Sequence, residues 1–198
     1  MKTYELPGQV RESVGKKDSS KLRSEKKVPC VLYGLNENLH FSCDYDALRK
    51  LIYTPNVYLA NIDLEGEKHQ AIMQDVQFHP VTDEPLHIDF LKVTDKKKVK
   101  VEIPVKTVGF AKGIRAGGRL QVEKRSLTVL ALPKDLPDAI TIDVSSLEIG
   151  QSYRVSDIET ETLKFVNAKS VPVVRVLVTR ASRAAAAATA TAQPAKKK

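Results

Sequence analysis

VYLANIDLEGEKHQAIMQDVQF, Val57–Phe78, decides the fold class of this 198-residue chain. Its first eight residues alternate between apolar and polar positions, the period of a strand with one buried face. Glu65-Gly66-Glu67 is a tight turn, and Lys68–Phe78 returns as the hairpin partner. Upstream, VPCVLY at Val28–Tyr33 is a strand closed by Gly34, and Leu39–Cys43 alternates as another. Asp44 is placed to cap a helix running to Tyr53, with Leu48, Leu51 and Ile52 on one face. Residues 2–5 open a strand, and DSSKLRSEKK at 18–27 reads as a short helix with Asp18 as its N-cap. Downstream, Pro80 and Pro85 bracket the connection to a strand at His87–Val93.

DKKK at 95–98 marks a boundary, beyond which the texture changes. Val99–Val108 is β-branched and alternating. Gly109, Gly113, Gly117 and Gly118 are read as turns in a long connection. Short strands are expected near 119–123, 126–132, 139–144 and 171–178, with one helical turn at Ser145-Ser146-Leu147. The chain is therefore expected to be mainly β. It divides into a first domain over 1–94, a second β domain over 95–180, and a flexible basic Ala/Lys tail over 181–198.

The net charge of +8 is unevenly placed. Residues 1–34 hold eight Lys/Arg against four Asp/Glu, residues 35–94 hold four against ten, and residues 162–198 hold eight against none. A basic segment beside an acidic remainder points to a polyanionic partner. The apolar runs are too short for a membrane helix, and MKTYELPGQVRES lacks the apolar core of a signal peptide, so a cytoplasmic setting is expected. Cys30 and Cys43 have neither C-x-x-C nor zinc-type spacing and are read as buried thiols.

QDVQFHPVTDEPLHIDF, Gln74–Phe90, gathers the candidate functional side chains. In a straight strand Asp75, Gln77 and His79 share one face, and Gln74, Val76 and Phe78 the other. His87 and Asp89 point one way, while Ile88 and Phe90 enter a core. A metal site from His79, His87 and Asp89 lacks convergent spacing. A catalytic His87–Asp89 dyad lacks a nucleophile motif, and side chains two apart on a strand stand parallel rather than tip to tip. No metal, cofactor or catalytic residue is assigned. A β surface reading the shallow minor groove of RNA, with basic residues on phosphates, accounts for the basic and polar segments together.

VRESVGKKDSSKLRSEKKVPCVLYG at 10–34 and QDVQFHPVTDEPLHIDFLKV at 74–93 resemble the bacterial ribosomal protein L twenty-five family. The likeness is to its long two-domain form, also called general stress protein CTC. It continues through 101–120 and 132–158. The resemblance implies a six-stranded β-barrel with short helices, then a mostly β second domain. It implies binding of 5S ribosomal RNA at loop E in the large ribosomal subunit. The second domain has no comparably sharp polar motif, and neighbouring ribosomal proteins, ribosomal RNA or no stable partner all stay open for it. Carried over by position, it assigns RNA contacts to Arg11, Lys16, Ser19, Lys21, Arg23, Tyr33, Gln74, His87 and Asp89. Ser20, like Ser19, is placed to touch phosphate, but is equally placed to serve the local helix. Lys21 stands where arginine is frequent and loses bidentate geometry. Phe78 stands where some members carry arginine, which puts that part of the RNA footprint in question. The alternative is a stress-response protein that associates with ribosomes transiently.

Overall fold

A computed structural model of the chain describes residues 2–34, 37–95, 97–158 and 163–180; the tail at 181–198 lies outside the described residues. The described residues fall into two compact units, one within 2–102 and 130–138, the other within 103–129 and 139–180.

The first unit is a closed six-stranded barrel. Its strands are β1 (Lys2–Val10), β2 (Lys27–Gly34), β3 (Glu37–Asp44), β4 (Tyr58–Leu64), β5 (Glu67–Phe78) and β6 (Pro85–Lys92), in the order β1-β3-β2-β6-β5-β4. The decisive hairpin is β4–β5, paired from Leu64↔Glu67 to Leu59↔Ile72. Its two-residue turn has positive φ at Glu65 and Gly66, and the Asp63 carboxylate accepts from the Gly66 N–H at 3.1 Å. Strand β1 runs parallel to β4 from Lys2↔Tyr58 to Gly8↔Leu64 and closes the barrel.

That strand is longer than expected from residues 2–5, because Pro7 and Gly8 do not interrupt it. Pairing with β3 starts only at Gln9, so Pro7 lies where β1 is bonded on one side alone. At Gly8 a Cβ would lie 2.8 Å from Leu64 Cδ2 and 2.9 Å from Phe41 Cδ2, so the absent side chain is what lets β1 close on the core.

Inward residues alternate along the strands, and Leu6, Cys30, Leu32, Phe41, Ile62, Ile88 and Phe90 form one buried cluster. Helix α2 (Tyr45–Ile52) adds Leu48 and Leu51 to it, and the Tyr4 hydroxyl ties β1 to that helix by donating to the Ala47 carbonyl at 2.8 Å. Asp44 occupies its N-cap position but makes no side-chain capping bond. Both cysteines are buried free thiols; burial, and next the neighbouring Cys43, push the Cys30 thiol well up.

Helix α1 spans Lys16–Ser24, starting two residues and ending three residues earlier than the 18–27 reading. Gly15 is the N-cap, and Asp18 sits in the first turn, where its charge suits the helix dipole without capping it. Lys26 takes a positive φ of 59° and turns the chain into β2.

The remaining elements are β7 (Val99–Val108) and β9 (Ser126–Ala131), each mostly in the second unit with its first or last few residues in the first, and, wholly in the second unit, α3 (Lys112–Arg115), β8 (Arg119–Val122), β10 (Ile140–Asp143), β11 (Ser152–Arg154), β12 (Lys164–Phe165) and β13 (Pro172–Leu177). They form a four-stranded sheet, β10-β7-β9-β12, and a three-stranded sheet, β11-β13-β8. Ile103, Leu127, Val129, Ile142, Val174 and Val176 are fully or nearly fully buried. β11 and β12 were missed in sequence because three and two residues carry no period. Residues 145–146 form a turn rather than a helical turn. Gly113 and Gly118 are sites of close approach as well as of connection. A Cβ on Gly113 would lie 2.8 Å from the Glu148 and Ile149 backbone, and one on Gly118 would lie 2.7 Å from the Gly113 carbonyl oxygen and from Val176 Cγ1.

Candidate nucleic-acid interface

The outward face of β6 carries His87 and Asp89, between the buried Ile88 and Phe90. Its neighbours are set by register. Antiparallel β5 places Asp75 opposite Asp89 and Gln77 opposite His87. Parallel β2 places Val31 beside Asp89 and Tyr33 beside Leu91, and β3 places the exposed His40 opposite Val31. Four strands thus contribute to one polar surface. His40, Asp75 and Gln77 were not among the assigned residues. The alternation of Leu39–Cys43 could have pointed to His40, and that of β5 to the other two.

His87 Nδ1 lies 2.8 Å from Asp89 Oδ1. The two side chains therefore meet, contrary to the parallel arrangement expected for positions two apart. Strand side chains lean along the strand, and an imidazole and a carboxylate together span the gap. The contact fixes the ring and leaves Nε2 as its remaining polar edge. The pair is partly open, with side-chain exposures of 28% and 38%. Burial first, then the negative charges of Asp89 and Asp75, push the Tyr33 phenol up. Asp89→Asn is accordingly expected to lower the Tyr33 titration, measured from its ring-carbon NMR signal against alkaline pH.

Two bulges shape this surface. Met73 pairs with Phe90 and Asp75 with Asp89, leaving Gln74 as the extra residue of β5. The face assignment for a straight strand fails there. Gln74 Nε2 donates to the Lys100 carbonyl at 3.1 Å, so its amide is not gathered with His87 and Asp89. Val76 packs against the core, and the exposed Phe78 packs on Tyr53 with ring centroids 6.4 Å apart. His79 Nδ1 accepts the Val81 and Thr82 N–H groups at 3.3 and 3.2 Å, which commits it to a turn. Among the described residues, no group of three or more His, Cys, Asp or Glu is arranged to hold a metal.

The second bulge lies where Gln77 pairs with His87 and Phe78 with Pro85, leaving Leu86 as the extra residue. Arg23 Nε donates to the Leu86 carbonyl at 3.1 Å. This bond links α1 to the residue preceding His87, and the terminal guanidinium nitrogens stay available at the exposed surface. Lys16, Ser19 and Arg23 follow one helical stripe, and the Arg11 guanidinium reaches Ser19 Oγ at 3.5 Å and the Ser13 carbonyl at 3.3 Å. Lys21 is not part of that stripe; two positions from Arg23, it lies about 160° around the helix axis.

Residues 6–90 match the Ribosomal L25p family, and residues 98–180 match the family described as Ribosomal protein TL5, C-terminal domain. A protein of Phocaeicola vulgatus named large ribosomal subunit protein bL25 is 42% identical over 194 residues, covering 94% of this chain and 98% of its own. The protein of that name from Porphyromonas gingivalis is 45% identical over 188 residues, with coverages of 94% and 98%. That from Cytophaga hutchinsonii is 44% identical over 190 residues, with coverages of 96% and 99%. These identities run through both matched segments and nearly the full length of each relative, and the chain belongs to the ribosomal L25p family, with a TL5-type C-terminal domain following the barrel.

Proposed function

We propose that this protein is a noncatalytic structural constituent of the large ribosomal subunit in the cytoplasm, binding 5S ribosomal RNA in the loop E region. The binding domain is residues 1–94, followed by a second domain over 95–180 and a basic tail over 181–198. The observation that carries this reading is the joining of two chemistries on one barrel wall. The paired His87–Asp89 face supplies directional hydrogen bonding, and Arg23, bonded to Leu86, brings the basic stripe of α1 to its border. The names of the relatives, which place them in the large ribosomal subunit, support the reading.

In this scheme Arg11, Lys16, Ser19 and Arg23 meet phosphates and set the register, with Lys21 contributing charge from another side of the helix. Tyr33, His87 and Asp89 face ribose hydroxyls and base edges in the wide minor groove, Asp89 accepting from base amino groups. Gln74, taken off that face by its bulge, contributes from the border through its amide oxygen.

Chemical footprinting of 5S RNA with the full-length protein tests the reading; protection is expected at the noncanonical internal loop, and an unchanged probing pattern at low ionic strength overturns it. Arg23→Ala is expected to weaken binding and to reduce the slope of log Kd against log salt by about one. Titration of labelled 5S RNA across a salt series measures both.

A further inference from the structure

We propose that the second unit has its own docking surface for the sugar–phosphate backbone of double-stranded RNA, built on the α3–β8 ridge and the outward face of the β11-β13-β8 sheet. It uses none of the residues assigned to 5S RNA. The first observation is charge segregation. Residues 106–125 carry six Lys/Arg and one carboxylate, Glu123, whereas residues 135–161 carry seven Asp/Glu and one arginine. Uniform solvation of a folded domain does not require such sorting.

The second observation is that the cations of the ridge are uncommitted. Lys112, Arg115 and Arg119 are exposed, and among the described residues none has a carboxylate within ion-pair distance. Glu123 is engaged by Arg175 at 3.7 Å. Lys112 and Arg115 are three apart on α3 and therefore neighbours on one side of it. The Arg115 guanidinium stands 5.7 Å from the centroid of the exposed Phe110 ring. Such a stack orients the guanidinium while its N–H groups remain free for phosphate.

The third observation is rigidity. Gly113 N–H donates to the Leu147 carbonyl at 2.9 Å, and Gly118 N–H to the Gly113 carbonyl at 2.8 Å. The Thr179 hydroxyl donates to the Gly117 carbonyl at 2.5 Å. With the close approaches at Gly113 and Gly118, these bonds hold the ridge against the body of the unit, so little ordering is needed on binding.

The sheet extends the surface. Leu120 pairs with the buried Val176 and Val122 with Val174, while the alternate positions pair Gln121 with Arg175 and Ser152 with Arg175. Arg119, Gln121, Arg175 and Ser152 thus share the outward face. These side chains donate hydrogen bonds, with the half-buried Leu177 beside Arg119 as the apolar member of the face, and a row dominated by such donors fits phosphates and ribose hydroxyls better than the apolar core of a protein interface.

The test uses the full-length protein and a duplex of about 24 base pairs of poly(A)·poly(U), long enough for the groove-spanning contacts of duplex RNA binders. This duplex lacks the noncanonical loop. The variant Lys112→Gln/Arg115→Gln/Arg119→Gln is expected to bind it at least about tenfold more weakly at low salt, with a salt slope reduced by about two to three. Its protection of 5S RNA is expected to be unchanged. Equal duplex affinity and slope in parent and variant would overturn the proposal. So would an equal loss of binding to poly-L-glutamate, which would assign the surface to an acidic protein. Should the triple variant lose its thermal transition, Lys112→Glu alone, at an exposed position, decides the same question through a loss of about threefold or more in duplex affinity.

Discussion

Truncating Phe90 to alanine is expected to destabilise the first unit by about 3–5 kcal/mol, the range for deleting a fully buried aromatic ring. Phe90 is 0% exposed, and its ring centroid lies 5.8 Å from that of Phe41 in the middle of the barrel. It also pairs with Leu32 on β2 and with Met73 on β5, so the cavity would open at the junction of three strands. Phe90 directly follows Asp89, so the strand that carries the polar pair is held by this ring. Urea unfolding followed by tyrosine fluorescence measures the effect selectively, because five of the six tyrosines lie in residues 4–58. A loss below about 1 kcal/mol would contradict the placement of the ring, since even one buried methylene is worth that order. Affinity for 5S RNA should fall only as far as the folded fraction falls.

Asp89→Ala is expected to act in the opposite manner, leaving stability nearly intact and reducing selectivity for 5S RNA by about 10–100-fold, as for losing one well-placed base contact. The substitution removes an acceptor, and it releases the imidazole that Asp89 holds at 2.8 Å. It also removes a negative charge that faces Asp75 across the β5–β6 pair and would repel any phosphate brought near. Binding to an unrelated RNA duplex should therefore hold or strengthen while binding to 5S RNA weakens, with little change in salt slope. Competition between the two RNAs measures the ratio directly. An unchanged ratio would remove Asp89 from the reading face. His87→Ala serves as the companion variant: the orienting contact makes the double-variant loss smaller than the product of the two single losses.

Much of this was legible in local sequence. The β4–β5 hairpin needed only alternation and a turn containing Gly66, and both were on the page. Helix α2 followed from Leu48 and Leu51, which the structure buries. The family pattern pointed to His87 and Asp89, two positions the structure places in contact on β6, because motif order along a chain is a one-dimensional property. The second unit was read less completely. The two-residue β12 and three-residue β11 are strands only because β9 and β13 lie beside them. Local sequence marks Gly113 as a turn residue, whereas its lack of a side chain serves contact with Glu148 and Ile149, residues far away in sequence.

The sequence by itself determined that the chain is mainly β, that Val57–Phe78 is an alternating hairpin, and that polar residues interrupt apolar ones over Gln74–Asp89. These properties depend on spacing between near neighbours, which backbone periodicity converts into faces. Only the tertiary structure decided which faces meet. The parallel pairing of β2 with β6 sets Val31 beside Asp89 and Tyr33 beside Leu91, and the β5–β6 register sets Asp75 opposite Asp89. The bulges take Gln74 out of the face and free the Leu86 carbonyl for Arg23. A bulge is a mismatch in length between two paired strands, so neither strand's own sequence contains it; it exists once closure of the barrel has fixed the partner and its register.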